Sequence, residues 1–184
     1  MFKLINENYG SRKGFVLSMR YQAESYLGKF NKYQSIPWGS VGRLIFICKG
    51  NICRSAFAAE VAKSLGLDAM SAGIHAIFDA SADEQAISTA QKLGYDLSSH
   101  RTTPIVYPIL RDRDLLVAME PWQAKIVSRY LSKPMTTTLL GLWGKPQHPY
   151  IHDPYGSSSG YFDHCFKYIE ISVHAIADKI KKAN

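Results

Sequence analysis

Hydrophobic positions along the chain form two patterns that alternate: short apolar runs typical of buried strands, and apolar residues at the spacing of a helix. Residues 43–48 (RLIFIC) form a short, almost continuous apolar run, which is typical of a strand buried on both faces of a parallel sheet. Phe57, Val61 and Leu65 then recur at a spacing of four and are followed by Gly66, so they predict a helix that ends near that glycine. The pattern therefore predicts a strand, a tight loop and a helix in direct succession.

The same alternation continues towards the C-terminus. Further strand-like segments lie at 69–71, 115–119 and 136–140, and helical segments lie at 83–93 and 122–131. A long amphipathic helix is predicted at the end from apolar residues at spacings of three and four, namely Phe162, Phe166, Ile169, Val173, Ile176 and Ile180. This order predicts an α/β fold, a doubly wound, about four-stranded parallel sheet flanked by helices.

Residues 1–42 precede the first predicted strand and differ from the rest in charge. Their lysines and arginines outnumber their acidic residues, which are only Glu7 and Glu24. One helical stripe is predicted within them, comprising Phe15, Met19, Ala23, Leu27 and Phe30. We interpret 1–42 as a basic, partly helical N-terminal extension and 43–184 as the main domain. Such a helix could pack on that domain, bind a partner or a second copy, or lie on a membrane surface.

Composition narrows the class of protein. A chain of 184 residues, 46% of them apolar, fits one soluble globular domain. The longest apolar run, 44–48, is too short to span a bilayer, and the N-terminus lacks the apolar stretch of a secretory signal. Three cysteines, an odd and small number, argue against a secreted disulfide framework, so we expect a cytoplasmic protein without stable membrane insertion.

The net charge of +7 suits an anionic partner without choosing among phosphate esters, nucleic acid and acidic lipid.

The loop after the first predicted strand carries the most informative motif. Residues 48–55 read CKGNICRS, which is a cysteine, five residues, an arginine and a serine. A thiolate is the reactive form of cysteine, and N–H groups at a helix N-terminus favour it, so Cys48 is the candidate nucleophile. The same N–H groups can bind a phosphate dianion, and the planar guanidinium of Arg54 can hold two of its oxygens. Gly50 permits a ligand to approach the backbone, and Ser55 can donate its hydroxyl to the sulfur.

A second segment supplies an acid. Cleavage of a phosphate ester needs a proton for the leaving oxygen, and a carboxylic acid on a separate loop usually provides it. Residues 152–156 (HDPYG) have the composition of a turn and follow the last predicted strand. Asp153 is therefore the candidate general acid. The neighbouring imidazole of His152 could tune that acid or only pack.

Together these segments resemble the low-molecular-weight protein tyrosine phosphatases. CKGNICRS is similar to the phosphate loop of that family and DPYG to its general-acid loop, and the resemblance extends from about residue 44 to the C-terminus. It implies a hydrolase of phosphotyrosine without metal or cofactor, in which Cys48 forms a phosphocysteine and Asp153 acts first as acid and then as base. It also implies that the loop contacts phosphate through Lys49, Gly50, Asn51, Ile52, Cys53, Arg54 and Ser55.

The resemblance implies further site residues outside the loop. A buried hydrogen-bond network would fix the loop, and its members would be Asn51, Ser55, Ser71 and His100. The substrate pocket would be walled by Ile77 and Phe78, and Tyr155 would stack on the substrate ring. The family resemblance also implies a reversible disulfide between Cys48 and Cys53. Three residues depart from the family pattern, namely Lys49, Ala56 and Thr103.

The expected partner is a phosphotyrosine protein and not a nucleic acid. By analogy with the bacterial branch of the family, an autophosphorylating tyrosine kinase of exopolysaccharide export is one candidate substrate. Two alternatives stay open. The chain could be an arginine phosphatase. Those enzymes have a similar loop, but they carry a threonine at the position of Ile52. It could instead be a phosphotyrosine-binding module whose pocket is gated by the extension.

Overall fold

The computed structural model describes residues 2–131 and 134–183. The first residue of the predicted extension (1–42) and the last residue of the predicted main domain (43–184) lie outside the described residues. The strands are β1 (Arg43–Cys48), β2 (Ala69–Gly73), β3 (Asp114–Ala118) and β4 (Thr137–Leu139). The α-helices are α1 (Phe2–Tyr9), α2 (Arg12–Tyr26), α3 (Arg54–Ser64), α4 (Glu84–Lys92), α5 (Pro121–Ile126) and α6 (Ser159–Ala183). Among these helices, none is both long and apolar enough to cross a membrane.

The sheet confirms the predicted α/β class. Its four strands are all parallel and lie in the order β2-β1-β3-β4. The chain therefore leaves β1 towards β2 on one side and later returns to β3 on the other side. Ligands of doubly wound sheets bind at the carboxyl ends of the strands where the order reverses in this way. Cys48, the last residue of β1, lies at that point and pairs with Gly73 of β2.

Helices and loops cover both faces of the sheet, which explains the nearly continuous apolar run of β1. On one face, Phe46 belongs to a cluster with α3 and α6, in which Phe57 stacks on Phe166 with ring centroids 4.2 Å apart. On the other face, Ile45 and Ile47 pack in a second cluster with Ile105 and residues near α5. All six residues of β1 are consequently buried.

The helix predicted over 122–131 is shorter than expected. It starts at Pro121, with Glu120 and Gln123 forming a capping box, and ends at Ile126. The chain then tightens into a 3₁₀ turn over Val127–Arg129. Two β-branched residues, Ile126 and Val127, follow one another where the helix ends, and such residues are less favourable in an α-helix.

The predicted apolar stripe of α2 is wrong. Three of its members, Met19, Ala23 and Leu27, are exposed, with Leu27 at 75%. The buried residue of α2 is instead Gly14, and Tyr21 of the same helix packs its ring against Tyr150 and the cluster of Phe30. Hydrophobic spacing could not reveal this orientation, because Gly14 lies against the ring of His152, where the helix needs a small residue and not an apolar one.

The extension is nevertheless anchored by apolar residues that follow α2. Phe30 and Tyr33 are buried in a third cluster with Leu139 and Leu142, beside the outermost strand β4. The hydroxyl of Thr138 in β4 donates to the backbone carbonyl of Tyr33 at 2.7 Å. The extension thus covers the edge of the sheet, where exposed backbone groups would otherwise invite pairing with another chain.

Candidate active site

The sulfur of Cys48 lies at the base of the loop between β1 and α3. It accepts hydrogen bonds from the backbone N–H of Asn51 at 3.1 Å and from the hydroxyl of Ser55 at 3.0 Å. The side chain is buried, and the loop runs directly into the N-terminus of α3. Donors aimed at a sulfur stabilise its anionic form, so this environment suits a thiolate nucleophile.

Asn51 holds the loop in shape. Its backbone adopts a left-handed conformation (φ 59°), which costs energy in any residue but glycine, although asparagine tolerates it better than most. Its side-chain amide donates to the hydroxyls of Ser55 at 2.9 Å and Ser71 at 2.8 Å. Its side-chain oxygen accepts from the backbone N–H of Thr103 at 2.8 Å. Both N–H groups and the oxygen of this side chain therefore have a partner in the buried loop.

His100 completes this network. Its Nε2 lies 2.7 Å from the carbonyl oxygen of Asn51, and since a carbonyl can only accept, Nε2 carries the proton. Burial lowers the pKa of His100, which keeps the ring neutral and suited to this single donation. The structure thus brings together the four residues named for this network from sequence. It adds a backbone contribution from Thr103, at one of the positions that depart from the family pattern.

Arg54 is fully enclosed and is held by carboxylates. One terminal nitrogen donates to Glu120 at 2.6 Å and to the carbonyl of Ile151 at 2.8 Å, and the other lies 2.8 Å from a carboxylate oxygen of Asp153. Burial alone would lower the pKa of Arg54, but the carboxylates of Asp153 and Glu120 offset this effect and raise it. Its Nε is the one buried side-chain nitrogen or oxygen among the described residues that lacks a hydrogen-bond partner.

Glu120 is a site residue that the sequence reasoning missed. It directly follows the third predicted strand and is 7% exposed. Its carboxylate accepts from Arg54, from the indole N–H of Trp122 at 2.9 Å and from the amide of Gln123 at 2.8 Å. The available signal was a carboxylate at the carboxyl end of a buried parallel strand, where functional side chains of such sheets collect.

A cavity of about 190 Å³ opens above the loop. Its lining comprises Cys48, Lys49, Gly50, Ile52, Cys53, His75, Asp153 and Tyr155. Most of the predicted loop residues and Tyr155 therefore face one space together with the candidate acid. His75, which belongs to no motif recognised in the sequence, also lines it. Ile77 and Phe78 are 78% and 62% exposed and lie outside this lining, so their role as pocket walls stays a prediction.

Two further observations concern the groups that the site could hold. Within residues 2–131 and 134–183, no cluster of three or more His, Cys, Asp or Glu side chains could hold a metal ion. A Cβ on Gly50 would meet nothing of the protein closer than Ile52 at 3.6 Å. The fold itself therefore leaves room for a side chain at this position.

The fold and the loop together define a phosphatase with a cysteine at the base of its phosphate loop. Comparison with known proteins agrees with this class. The family model described as low molecular weight phosphotyrosine protein phosphatase matches residues 43–184. A protein of Klebsiella pneumoniae named as a putative low molecular weight protein-tyrosine-phosphatase is 30% identical over 141 residues, which are 75% of this chain and 96% of that protein.

Solved structures give the same result. The crystal structure of the Erwinia amylovora tyrosine phosphatase AmsI superposes with a TM-score of 0.68 and 31% identity, covering 78% of this chain and 93% of that one. The tyrosine phosphatase Wzb of Escherichia coli K30, in complex with sulphate, gives a TM-score of 0.68 and 33% identity, covering 76% and 99%. The chain belongs to the low molecular weight protein tyrosine phosphatase family. Residues 1–42 lie outside the family match.

The contact between Glu120 and Arg54 generates a stability prediction. Glu120→Ala leaves the buried guanidinium without one of its carboxylates, so we expect the free energy of unfolding in urea to fall by about 3 kcal/mol. The matched control is Glu60→Ala, which removes a partly exposed carboxylate 3.8 Å from Lys63. That change should cost less than about 0.5 kcal/mol. Equal losses in the two variants would contradict a special contribution of Glu120.

Proposed function

We propose that the protein hydrolyses phosphotyrosine in proteins through a phosphocysteine at Cys48, with Asp153 as general acid. The observation that supports this most is that Cys48 and Asp153 line one cavity while a cation contacts Asp153. The guanidinium of Arg54, itself enclosed in the protein, lies 2.8 Å from the carboxylate of Asp153. A nucleophile, an acid and a cation at one place are what the transfer of a phosphoryl group from an ester requires.

The loop would bind the phosphoryl group before the reaction. Its N–H groups lie at the start of α3, where the helix dipole favours an anion. The unpaired Nε of Arg54 offers a further donor for a phosphate oxygen. The related Wzb was solved in complex with sulphate, which supports a site of this kind, because sulphate shares the tetrahedral shape and the charged oxygens of phosphate.

Two proton transfers would accompany the two chemical steps. In the first, the thiolate of Cys48 forms a bond to phosphorus while the bond from phosphorus to the phenolic oxygen breaks, and Asp153 gives its proton to that oxygen. In the second, Asp153 takes a proton from water as the water oxygen attacks phosphorus, and the thiolate leaves. The side chain of Asp153 is 35% exposed, so water can reach it.

The preference for an aromatic ester rests on the walls of the cavity. Ile52, His75 and Tyr155 line it, and these side chains offer apolar and aromatic surface to a phenyl ring. The physiological substrate we propose is a phosphotyrosine protein, with a bacterial tyrosine kinase of exopolysaccharide export as the leading candidate. Both thiols of the loop are free and buried, which suits the reducing cytoplasm in which such a substrate would be met.

Substitution of the acid tests the proposed mechanism. Asp153→Ala is expected to lower kcat on a phosphotyrosine peptide by about 100- to 10,000-fold, the usual contribution of a general acid. Asp163→Ala, which removes a carboxylate of α6 that pairs with Lys92 at 4.0 Å, should leave kcat unchanged. A rate for Asp153→Ala close to that of the wild type would assign the proton donation to another group.

The same assay separates the alternatives. A phosphoarginine peptide should be hydrolysed far more slowly than the phosphotyrosine peptide, and the reverse order would favour an arginine phosphatase. Tight binding of the phosphotyrosine peptide by the wild-type protein without any release of phosphate would instead indicate a binding module.

Cys53 provides a second test, which concerns oxidation. Burial raises the pKa of the Cys53 thiol, so we propose that peroxide oxidises Cys48 first, to a sulfenic acid. The thiol of Cys53 would then condense with it, releasing water and forming a disulfide that a dithiol reduces. We expect the wild type to regain its activity after peroxide and dithiol. Cys53→Ala should lose it permanently, because the unprotected sulfenic acid oxidises further.

The control for this experiment is the third cysteine. Cys165 lies in α6, and burial raises its pKa to about 12, so it should stay inert. Cys165→Ala should therefore recover like the wild type. Equal recovery of Cys53→Ala and the wild type would remove the protective role of Cys53.

A further inference from the structure

The segment that carries the candidate acid is in direct contact with the N-terminal extension. The hydroxyl of Ser11, the residue that caps α2, lies 3.1 Å from Nε2 of His152. The other ring nitrogen, Nδ1, lies 2.6 Å from the hydroxyl of Tyr150. His152 immediately precedes Asp153 in the chain. One hydrogen-bonded chain therefore runs from the start of α2 into the residue next to the acid.

Two glycines of the extension pack closely against the ring of His152, in addition to the hydrogen bond from Ser11. A Cβ added at Gly14 would come within 2.7 Å of the His152 ring, and one added at Gly10 would come within 2.9 Å of it. Gly10 also has a positive φ of 73°, which favours glycine at the turn between α1 and α2. The two glycines thus bring the backbone of the extension against the imidazole.

Groups of the main domain also hold the two residues before Asp153. They hold the backbone of these residues, whereas the extension contacts the imidazole of His152. The hydroxyl of Tyr161 donates to the carbonyl of His152 at 3.2 Å, and the carbonyl of Ile151 accepts from Arg54 at 2.8 Å. These bonds fix the backbone. The imidazole itself is held by Tyr150 and, from outside the family domain, by Ser11.

The carboxylate of Asp153 is held mainly by Arg54. One of its oxygens lies 2.8 Å from a terminal nitrogen of Arg54, and the N–H of Tyr155 donates to the other over a longer 3.4 Å. The turn is closed by a hydrogen bond from the N–H of Ser157 to the carbonyl of Pro154 at 2.8 Å. Tyr155 itself is exposed. The contact with Arg54 depends on where the backbone at Asp153 lies, and His152 is the residue directly before it. A displacement of His152 would therefore move the candidate acid, and a shift of about 1 Å at a reacting group can reduce a rate about 100-fold.

We propose that the N-terminal extension positions the general acid, through the hydrogen bond between Ser11 and His152. Ser11 and His152 are positioning residues in this account, because they act on substrate only through Asp153. The proposal rests on the proposed function, since it assigns the extension to proton donation in that reaction. It gives residues 2–42 a part in the active site of a chain whose family match starts at residue 43.

Two aryl esters distinguish this role from a general structural one. Phenyl phosphate has a poor leaving group that needs the proton of the acid, whereas 2,4-dinitrophenyl phosphate has a leaving group stable enough to depart without it. For Ser11→Ala we expect kcat/KM on phenyl phosphate to fall about 10-fold, a fraction of the full contribution of an acid. On the dinitrophenyl ester, the fall should be less than about 2-fold.

Ser11 also caps α2, by accepting from the backbone N–H of Gly14 at 2.9 Å, so three further variants separate the two roles. Ser11→Thr keeps a hydroxyl for both bonds and should restore most of the activity on phenyl phosphate. His152→Phe keeps a ring without hydrogen bonds and should reproduce the selective loss. In the double variant Ser11→Ala/His152→Phe, the loss on phenyl phosphate relative to the dinitrophenyl ester should be no greater than in His152→Phe alone. Both changes remove the same interaction, and loss of the helix cap should affect the two esters alike. Ser18→Ala, on the same helix, is the control and should match the wild type.

Several results would overturn the proposal. Equal losses on the two esters would mean that Ser11 only stabilises the fold. Independent, multiplying losses in the double variant would mean that Ser11 does not act through His152. An unchanged or raised kcat/KM of Ser11→Ala on phenyl phosphate, in an active wild type, would remove the positioning role or reverse it to inhibition. A wild type inactive on both esters would refute the proposed function itself, and the positioning role with it.

Discussion

The enclosed guanidinium of Arg54 is the interaction on which the arrangement of the site depends. It is bound by Glu120 beyond β3, by the carbonyl of Ile151 and by Asp153 of the acid segment. A buried cation without partners would cost several kcal/mol, so these pieces of chain must meet around it when the protein folds. The contacts that compensate the charge are also those that hold Asp153, the candidate acid, at the cavity of Cys48. Stability and site geometry are therefore coupled through one side chain.

The phosphate loop is held in shape by groups of the protein itself. Asn51 holds a left-handed backbone conformation, and its hydrogen bonds with Ser55, Ser71, Thr103 and His100 surround it. A loop fixed in this way need not reorganise when charge develops on the phosphoryl group, which is the basis of electrostatic catalysis. The segment of the candidate acid has contacts of a similar kind, because Ser11, Gly10 and Gly14 of the extension lie against the ring of His152. The loop and the segment before Asp153 are thus each packed against a further layer of residues.

Much of the fold could be predicted from sequence because its signals are local. A buried strand, a phosphate loop and a helix follow one another within residues 43–64, so period and motif suffice there. Glu120 and His75 were missed because their roles arise only when separate strands and loops converge at one edge of the sheet. The inward face of α2 was mispredicted for a related reason. Its contact with the domain depends on the small size of Gly14, which a search for apolar spacing passes over.

The central claim is that Cys48 is the nucleophile of a phosphotyrosine hydrolase. The most direct measurement is the release of phosphate from a phosphotyrosine peptide by the wild type and by Cys48→Ser, with peptide binding to both proteins measured in parallel. We predict that the variant still binds the peptide while its kcat falls at least about 1,000-fold, because a hydroxyl in place of the thiolate is a far weaker nucleophile. Turnover by Cys48→Ser at a rate close to that of the wild type would contradict the account.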